Sequence, residues 1–218
     1  MVVETAQETT EQPLIYHVEP AEPKHSSWFS FIKRSFDIVA SALGLVLCLL
    51  PMLLIAAAIK FDSRGPALFS QERLGKDGKP FTMYKFRSMY LNAEENGPQW
   101  ADKIDWRCTR MGRFLRKTRL DELPQLINIF KGEMSIVGPR PERAYFYDQF
   151  DTYIHGFRNR MAVRPGLTGW AQINGGYELR PEEKIVYDME YINNMSVKMD
   201  IVCIFKTVKL VFTHEGAR

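Results

Sequence analysis

The sequence predicts an α+β fold, mainly helical, in which a long apolar helix, a small β-hairpin and amphipathic helices surround a compact domain. Three observations carry this. Residues 38–59 (IVASALGLVLCLLPMLLIAAAI) are 22 positions without a charge. As a straight helix they would reach about 33 Å, the thickness of a bilayer core. Asp77-Gly78 divides two stretches rich in strand-forming residues, which is a strong hairpin signal. Helical spacing of basic residues over 107–119 and of apolar residues over 200–213 supplies the amphipathic helices.

Composition supports a folded chain. Of 218 residues, 45% are hydrophobic and 25% charged, which excludes wholesale disorder and collagen-like repeats. The length fits one domain with an appended segment. Charge is uneven: residues 1–27 hold five Glu and one Lys, a balance of −4, so the overall +3 leaves +7 on residues 28–218. A basic body suits an anionic partner, whether nucleic acid, membrane phosphate or a phosphorylated substrate. Cys48, Cys108 and Cys203 are far apart and odd in number, so neither a disulfide framework nor a zinc knuckle follows, and a reducing compartment is the default.

The elements follow in order. Residues 1–27 read as a disordered acidic tail without a signal peptide. Trp28, Phe29, Phe31 and Phe36 beside Lys33 and Arg34 form an interfacial collar to the apolar run. Pro51 interrupts that run, leaving arms of 13 and 8 residues, each too short to span. Both flanks are basic, whereas a crossing helix should show asymmetry. The run alone leaves a re-entrant helix-break-helix and a kinked span open, with Ser41 or a neighbouring segment as partner for the freed carbonyls, and continuous apolarity disfavours the third reading, a buried soluble-core helix. The collar and run occupy 28–60, and residues 61–218 form the domain.

Residues 67–74 and 80–89 flank the turn, and Lys85 and Arg87 emerge on one face of the second strand. Residues 92–106 form a polar loop. On a helix over 107–119, Arg110, Arg113 and Lys117 share a face suited to phosphates or to solvent. Residues 116–142 are the densest constellation. The adjacent carboxylates Asp121 and Glu122 precede Pro124, so one of them opens a helix. Capping is their bland role. Their setting suggests more: neighbouring helix positions point about 100° apart, so the two groups would do different jobs. Arg119, Arg140 and Arg143 are positioned to clamp a phosphate, and carboxylate with phosphate is a Mg²⁺ setting. The glycine-punctuated stretch 163–175 offers Arg164 and exposed backbone N–H groups. The stripe Ile201, Ile204, Phe205, Val208, Val211 and Phe212 packs on a core or on a membrane surface. No Walker loop, GxGxxG, HExxH or GxSxG occurs, and the four His are scattered.

Taken together, KRSFD (33–37), the apolar run with Pro51, QERLGKDGKPFTMYKFRSM (71–89), RKTRLDELPQLINI (116–129), MSIVGPRPE (134–142), RPGLTGWAQ (164–172) and YDMEYINNMSVKMDI (187–201) closely resemble the bacterial sugar transferases. These are monotopic polyprenol-phosphate phosphoglycosyl transferases. The resemblance covers residues 33 to about 212. It implies transfer of a sugar-1-phosphate from a UDP-sugar to undecaprenyl phosphate with release of UMP, the first membrane step of exopolysaccharide or glycan assembly. It further implies Asp121 as the nucleophile that forms an aspartyl phosphosugar intermediate, and as ligand to Mg²⁺. Glu122 would act as base or orienter. Arg140 would hold phosphate, with Lys85, Arg87, Arg119, Arg143 and Arg164 as further anion contacts. A re-entrant helix with its break at Pro51 and a catalytic domain on the cytoplasmic face of the inner membrane are part of the same implication. So are membrane lipids as partners and no nucleic acid; a homo-oligomer is left open. The chain looks like the minimal catalytic form, without the additional N-terminal helices of larger relatives. A membrane-tethered nucleic-acid binder and a non-catalytic scaffold are the competing readings.

Overall fold

The computed structural model describes residues 15–21, 23, 26–95, 97 and 105–213. Residues 1–14 of the acidic tail lie outside these. The later part of the tail corrects the sequence reading. Strand β1 (Tyr16–His17) pairs in parallel with β5 (Ile154–His155), and Tyr16, Val18 and Ala21 pack against the main core. Residues 15–21 are therefore part of the folded unit, held by backbone pairing that charge composition does not report.

Helix α1 (Ser27–Asp62) is one helix of 36 residues that runs through Pro51. The interruption expected at Pro51 is not a gap in the helix. Ser41 does not serve the proline either; its hydroxyl donates to the Asp37 and Ile38 carbonyls. Lys33 and Arg34 are tertiary ties rather than free flanking charges. Lys33 pairs with Asp200 at 2.7 Å, and Arg34 donates to the Ile129 and Phe130 carbonyls at 2.7 and 2.8 Å. Buried Asp37 accepts from the Ile136 N–H and the Ser135 hydroxyl. At the other end Ile55 and Ile59 pack with Phe86 and Leu115. Asp37 and Ile59 are separated by about 33 Å of helix, yet both dock on the same domain. Between them Leu43, Val46, Leu47, Leu49, Leu50, Leu53 and Leu54 are exposed.

The hairpin forms as expected. Strand β2 (Leu68–Leu74) pairs antiparallel with β3 (Pro80–Phe86), from Leu68↔Phe86 to Leu74↔Pro80. Asp77 and Gly78 take the two left-handed conformations that the turn needs (φ 57° and 72°). Paired residues share a face, so Phe69 stands beside Lys85 and Gln71 beside Met83.

Helix α2 (Arg110–Thr118), capped by Thr109, lies against the end of the hairpin. Its approach depends on Gly112: a Cβ there would sit 1.8 Å from the Ser88 carbonyl oxygen. Gly112→Ala is expected to lower stability by about 3 kcal/mol or more, read as a shift in the denaturation midpoint. Helix α3 (Gln125–Lys131) opens after Pro124, one turn later than the sequence suggests. Asp121 and Glu122 sit in the short 3-10 turn Leu120–Glu122 before it. Strand β4 (Ser135–Val137) pairs in parallel with β6 (Gly166–Thr168). Cβ atoms at Gly166 and Gly169 would lie 2.1 and 2.2 Å from the Gly138 backbone. These glycines thus serve the close approach of two backbones.

Helix α4 (Ala144–Asp151), the short helix α5 (Trp170–Ile173), α6 (Pro181–Asn193) and α7 (Val197–Thr213) complete the domain. The main core includes Tyr147, Phe150, Phe157, Ile185, Ile192 and Cys203. Helix α7 turns Met199, Cys203 and Ile204 to this core and leaves Val197, Ile201, Phe205 and Val208 exposed. The predicted apolar stripe is thus split between core and surface.

Candidate active site

A cavity of about 400 Å³ opens between the hairpin, α2, the 138–143 segment and α6. Its lining side chains include ten Lys and Arg against four Asp and Glu, so it is built for an anion. One wall is the hairpin face that carries Phe69, Gln71, Arg73, Met83, Lys85 and Arg87.

The two adjacent carboxylates have different surroundings. Glu122 is buried and accepts from Lys85 at 3.1 Å and from Arg140, both on the same oxygen, Oε1. Asp121 lines the cavity, and its carboxylate makes no hydrogen bond or ion pair among the described residues. The backbone explains the difference. Arg119 takes a left-handed conformation (φ 58°) between α2 and the 3-10 turn, a conformation that disfavours most side chains. The tight turn that follows aims one carboxylate at the cavity and the other at the hairpin.

Burial raises the Asp121 carboxyl to about 6, with Lys85 and Arg140 pulling it down and Glu122 pushing it up. Burial also acts to raise Glu122, but Arg140 and Lys85 overcome it and hold that carboxyl well below the usual range. Near neutral pH Glu122 is therefore a fixed anion and a poor proton acceptor. Asp121 is an unpaired carboxylate ringed by cations.

The remaining sequence-predicted residues divide. Lys85, Arg119, Arg140 and Arg143 line the cavity with Asp121. Arg87 also lines it, but its guanidinium donates to the Arg64 and Ser63 carbonyls at 2.6 and 2.8 Å, beyond the end of α1. Its donors there act on a helix end. Arg164 is not at the cavity; it donates to the Gly132 carbonyl at 2.9 Å, behind α3. Arg164→Ala is accordingly expected to leave donor affinity and turnover within about twofold, with loss of about 1 kcal/mol of stability, checked by kinetics beside thermal melts. The face of Arg110, Arg113 and Lys117 is exposed; Arg107, Arg116 and Arg119 are the ones from this region that reach the cavity.

A family model for bacterial sugar transferases matches residues 28–214. The chain belongs to the bacterial sugar transferase family. Among curated relatives, the chain is 46% identical over 193 residues to a UDP-N-acetylgalactosamine-undecaprenyl-phosphate N-acetylgalactosaminephosphotransferase of Aeromonas hydrophila, covering 87% of this chain and 46% of the relative. It is 44% identical over 191 residues to a UDP-glucose:undecaprenyl-phosphate glucose-1-phosphate transferase of Escherichia coli K12 (85% and 41%). An undecaprenyl-phosphate galactose phosphotransferase of Salmonella typhimurium is 38% identical over 202 residues (86% and 42%). The chain spans less than half the length of these relatives.

The site also holds charges that sequence did not single out. Arg160 and Asp188 pair at 2.6 Å and are almost fully buried in the cavity wall. Glu142 lies 3.3 Å from both Lys184 and Arg73. Arg160 donates to the Arg140 carbonyl at 3.0 Å, so the buried network sets the backbone of the residue that clamps Glu122. Lys184 and Asp188 are four apart on α6, a spacing that in sequence reads as a solvated helix face.

A divalent cation fits this site in one way. No group of three or more His, Cys, Asp or Glu that would cage a metal occurs among the described residues. Among the described residues Asp121 offers the cavity an unpaired carboxylate, which would hold a divalent cation only together with ligand oxygens and water.

Proposed function

We propose that this sugar transferase moves a sugar-1-phosphate from a UDP-sugar to undecaprenyl phosphate and releases UMP. A carboxylate oxygen of Asp121 attacks the sugar-bearing phosphorus. The bond from that phosphorus to the bridging oxygen breaks, and UMP leaves with that oxygen. A phosphate oxygen of undecaprenyl phosphate then attacks the same phosphorus and displaces the carboxylate, giving the lipid diphosphate sugar and free Asp121. The observation that carries this reading is the asymmetry of the pair: Asp121 faces the cavity unpaired, while Glu122 is held by Lys85 and Arg140. Splitting one substitution into two suits a nucleophile of this kind.

Glu122 orients Lys85 and Arg140, which face the transferring phosphoryl group, where fixed cations stabilise charge as it shifts. Arg119 and Arg143 extend the cationic wall toward the diphosphate. Mg²⁺, held by Asp121 with the diphosphate, would supply further charge neutralisation. The relatives' names include N-acetylgalactosamine, glucose and galactose donors, and the class proposed is a UDP-hexose or its N-acetylated form.

The membrane arrangement proposed is monotopic, on the cytoplasmic face of the inner membrane, with the continuous helix α1 bending at Pro51 so that it enters one leaflet and returns. Support comes from the docking of both ends of α1 on one domain, while the segment between them exposes leucines. The exposed stripe of α7, flanked by Lys198, Lys206 and Lys209, fits the same membrane surface. Single cysteines at Ser27 and Asp62, in a chain with the native cysteines replaced, are both expected to react with an impermeant thiol reagent from the cytoplasmic side only; opposite-side labelling would defeat this topology.

The reaction itself is tested by UMP release from purified protein with Mg²⁺, undecaprenyl phosphate and a panel of UDP-sugars. Release with at least one donor is expected. Absence of release with every donor, from protein shown to be folded, would contradict the reading.

A further inference from the structure

The cavity has a second chemical character that the diphosphate chemistry does not use. Along the hairpin face its lining changes from Arg73 through Gln71 to Phe69. Phe69 sits at the end nearest α1 and beside Lys85 in register. Tyr90 and Leu91 join the lining at the same end. These three side chains are 41%, 47% and 69% exposed, although each is large and apolar or aromatic. Water-facing groups of this kind beside a cationic cavity need a reason.

The lip they form is continuous with the membrane helix. A Cβ on Gly65, three residues beyond α1, would lie 3.1 Å from a methyl group of Leu91. Arg87 ties the same end of the hairpin to the Ser63 and Arg64 carbonyls. On the last turn of α1, Phe61 is 92% exposed. An apolar track thus leads from the end of α1 over Leu91, Tyr90 and Phe69 to Lys85. Elsewhere the cavity wall includes the buried ion pairs Arg160–Asp188 and Lys184–Glu142, which a hydrocarbon chain would cut off from water.

We infer that this lip is the subsite for the isoprenoid chain of the acceptor. The first isoprene units lie over Phe69, Tyr90 and Leu91, and the phosphate head reaches past Lys85 toward Asp121. The inference rests on the proposed reaction and adds to it the path of the lipid. An isoprenoid chain offers only apolar surface, so the lip gains from it by burial and not by any directional contact. Its contribution therefore scales with chain contact and is absent for an acceptor too short to lie on it.

The test compares undecaprenyl phosphate with a short prenyl phosphate in detergent, for the wild-type chain and for Phe69→Ala, Leu91→Ala and Leu91→Ser. Three variants at exposed positions guard against a single one that fails to fold. The wild type is expected to favour the long acceptor in kcat/KM. Each variant should lose about tenfold with undecaprenyl phosphate and less than about twofold with the short acceptor, chiefly through KM. UMP release in a single turnover with the UDP-sugar alone should fall less than turnover with undecaprenyl phosphate, because the contact assigned to the lip is with the acceptor chain. Equal losses for both acceptors, an unchanged ratio, or a wild type indifferent to chain length would each overturn the inference. Failure of the wild type to release UMP with any donor would instead overturn the reaction on which it rests.

Discussion

Asp121→Asn is expected to reduce turnover by about 10³-fold or more while leaving the fold and membrane association intact. The amide keeps the size of the side chain but cannot act as the attacking oxygen. Stability should move the other way. The carboxyl is raised from 3.8 to about 6 by burial, which costs about 3 kcal/mol when it is ionised at neutral pH. A carboxyl with a raised folded pKa destabilises above that pKa, and the cost is relieved as pH falls through it. Asparagine removes the charge, so the variant should be as stable as the parent or up to about 2 kcal/mol more stable, since its amide must still be desolvated. An inactive variant with a raised melting temperature separates a functional carboxylate from a structural one. The same shift sets an acid limb: at limiting Mg²⁺, kcat/KM should fall as pH drops below about 6, where the free enzyme takes up a proton on Asp121.

Glu122→Gln is expected to act through the neighbours. Glutamine still offers an acceptor to Lys85 and Arg140 but no charge, so the ion pairs that both partly buried cations make with Glu122 are lost. The loss of stability should be about 1–3 kcal/mol. Freed cations bind donor diphosphate at least as well in the ground state, so KM for the UDP-sugar should stay level or fall. Turnover should drop about 100-fold because the clamp is no longer fixed in the geometry of the reaction. The pH profile discriminates orienter from base. Glu122 is held ionised far below neutral pH, so the residual activity should keep the parent's limbs. A limb that disappears in the variant would mean that Glu122 itself exchanges the proton.

The parts of this molecule that were legible in the sequence carry their reason locally. Asp77-Gly78 is a pair that readily takes two left-handed conformations, and the hairpin turn is built on it. Asp121 and Glu122 stand beside a run of arginines, and a charge pair in such company has few quiet roles. Three other arginines make contacts that the sequence does not show. Arg34, Arg87 and Arg164 donate to carbonyls at or just beyond helix ends, and a guanidinium that caps a helix is indistinguishable in sequence from one that binds phosphate. Which carbonyl an arginine meets is decided by tertiary contacts: Arg34 finds its partner 95 residues away. The Arg160–Asp188 pair was hidden for the same reason, because burial of a charged pair depends on the packing of α6 against the 157–162 turn. Residues 15–21 were misread because strand pairing to β5 leaves no mark on an acidic composition.

The central claim is that Asp121 carries the sugar phosphate between donor and acceptor. The most direct measurement mixes stoichiometric protein with the preferred UDP-sugar and no undecaprenyl phosphate, quenches, and examines the protein by mass spectrometry. The account predicts UMP released in proportion to enzyme, a mass increase equal to one sugar phosphate, and the adduct on the peptide bearing Asp121. UMP that forms only when acceptor is present, with the protein mass unchanged throughout, would contradict it and would point to direct attack of the lipid phosphate on the donor.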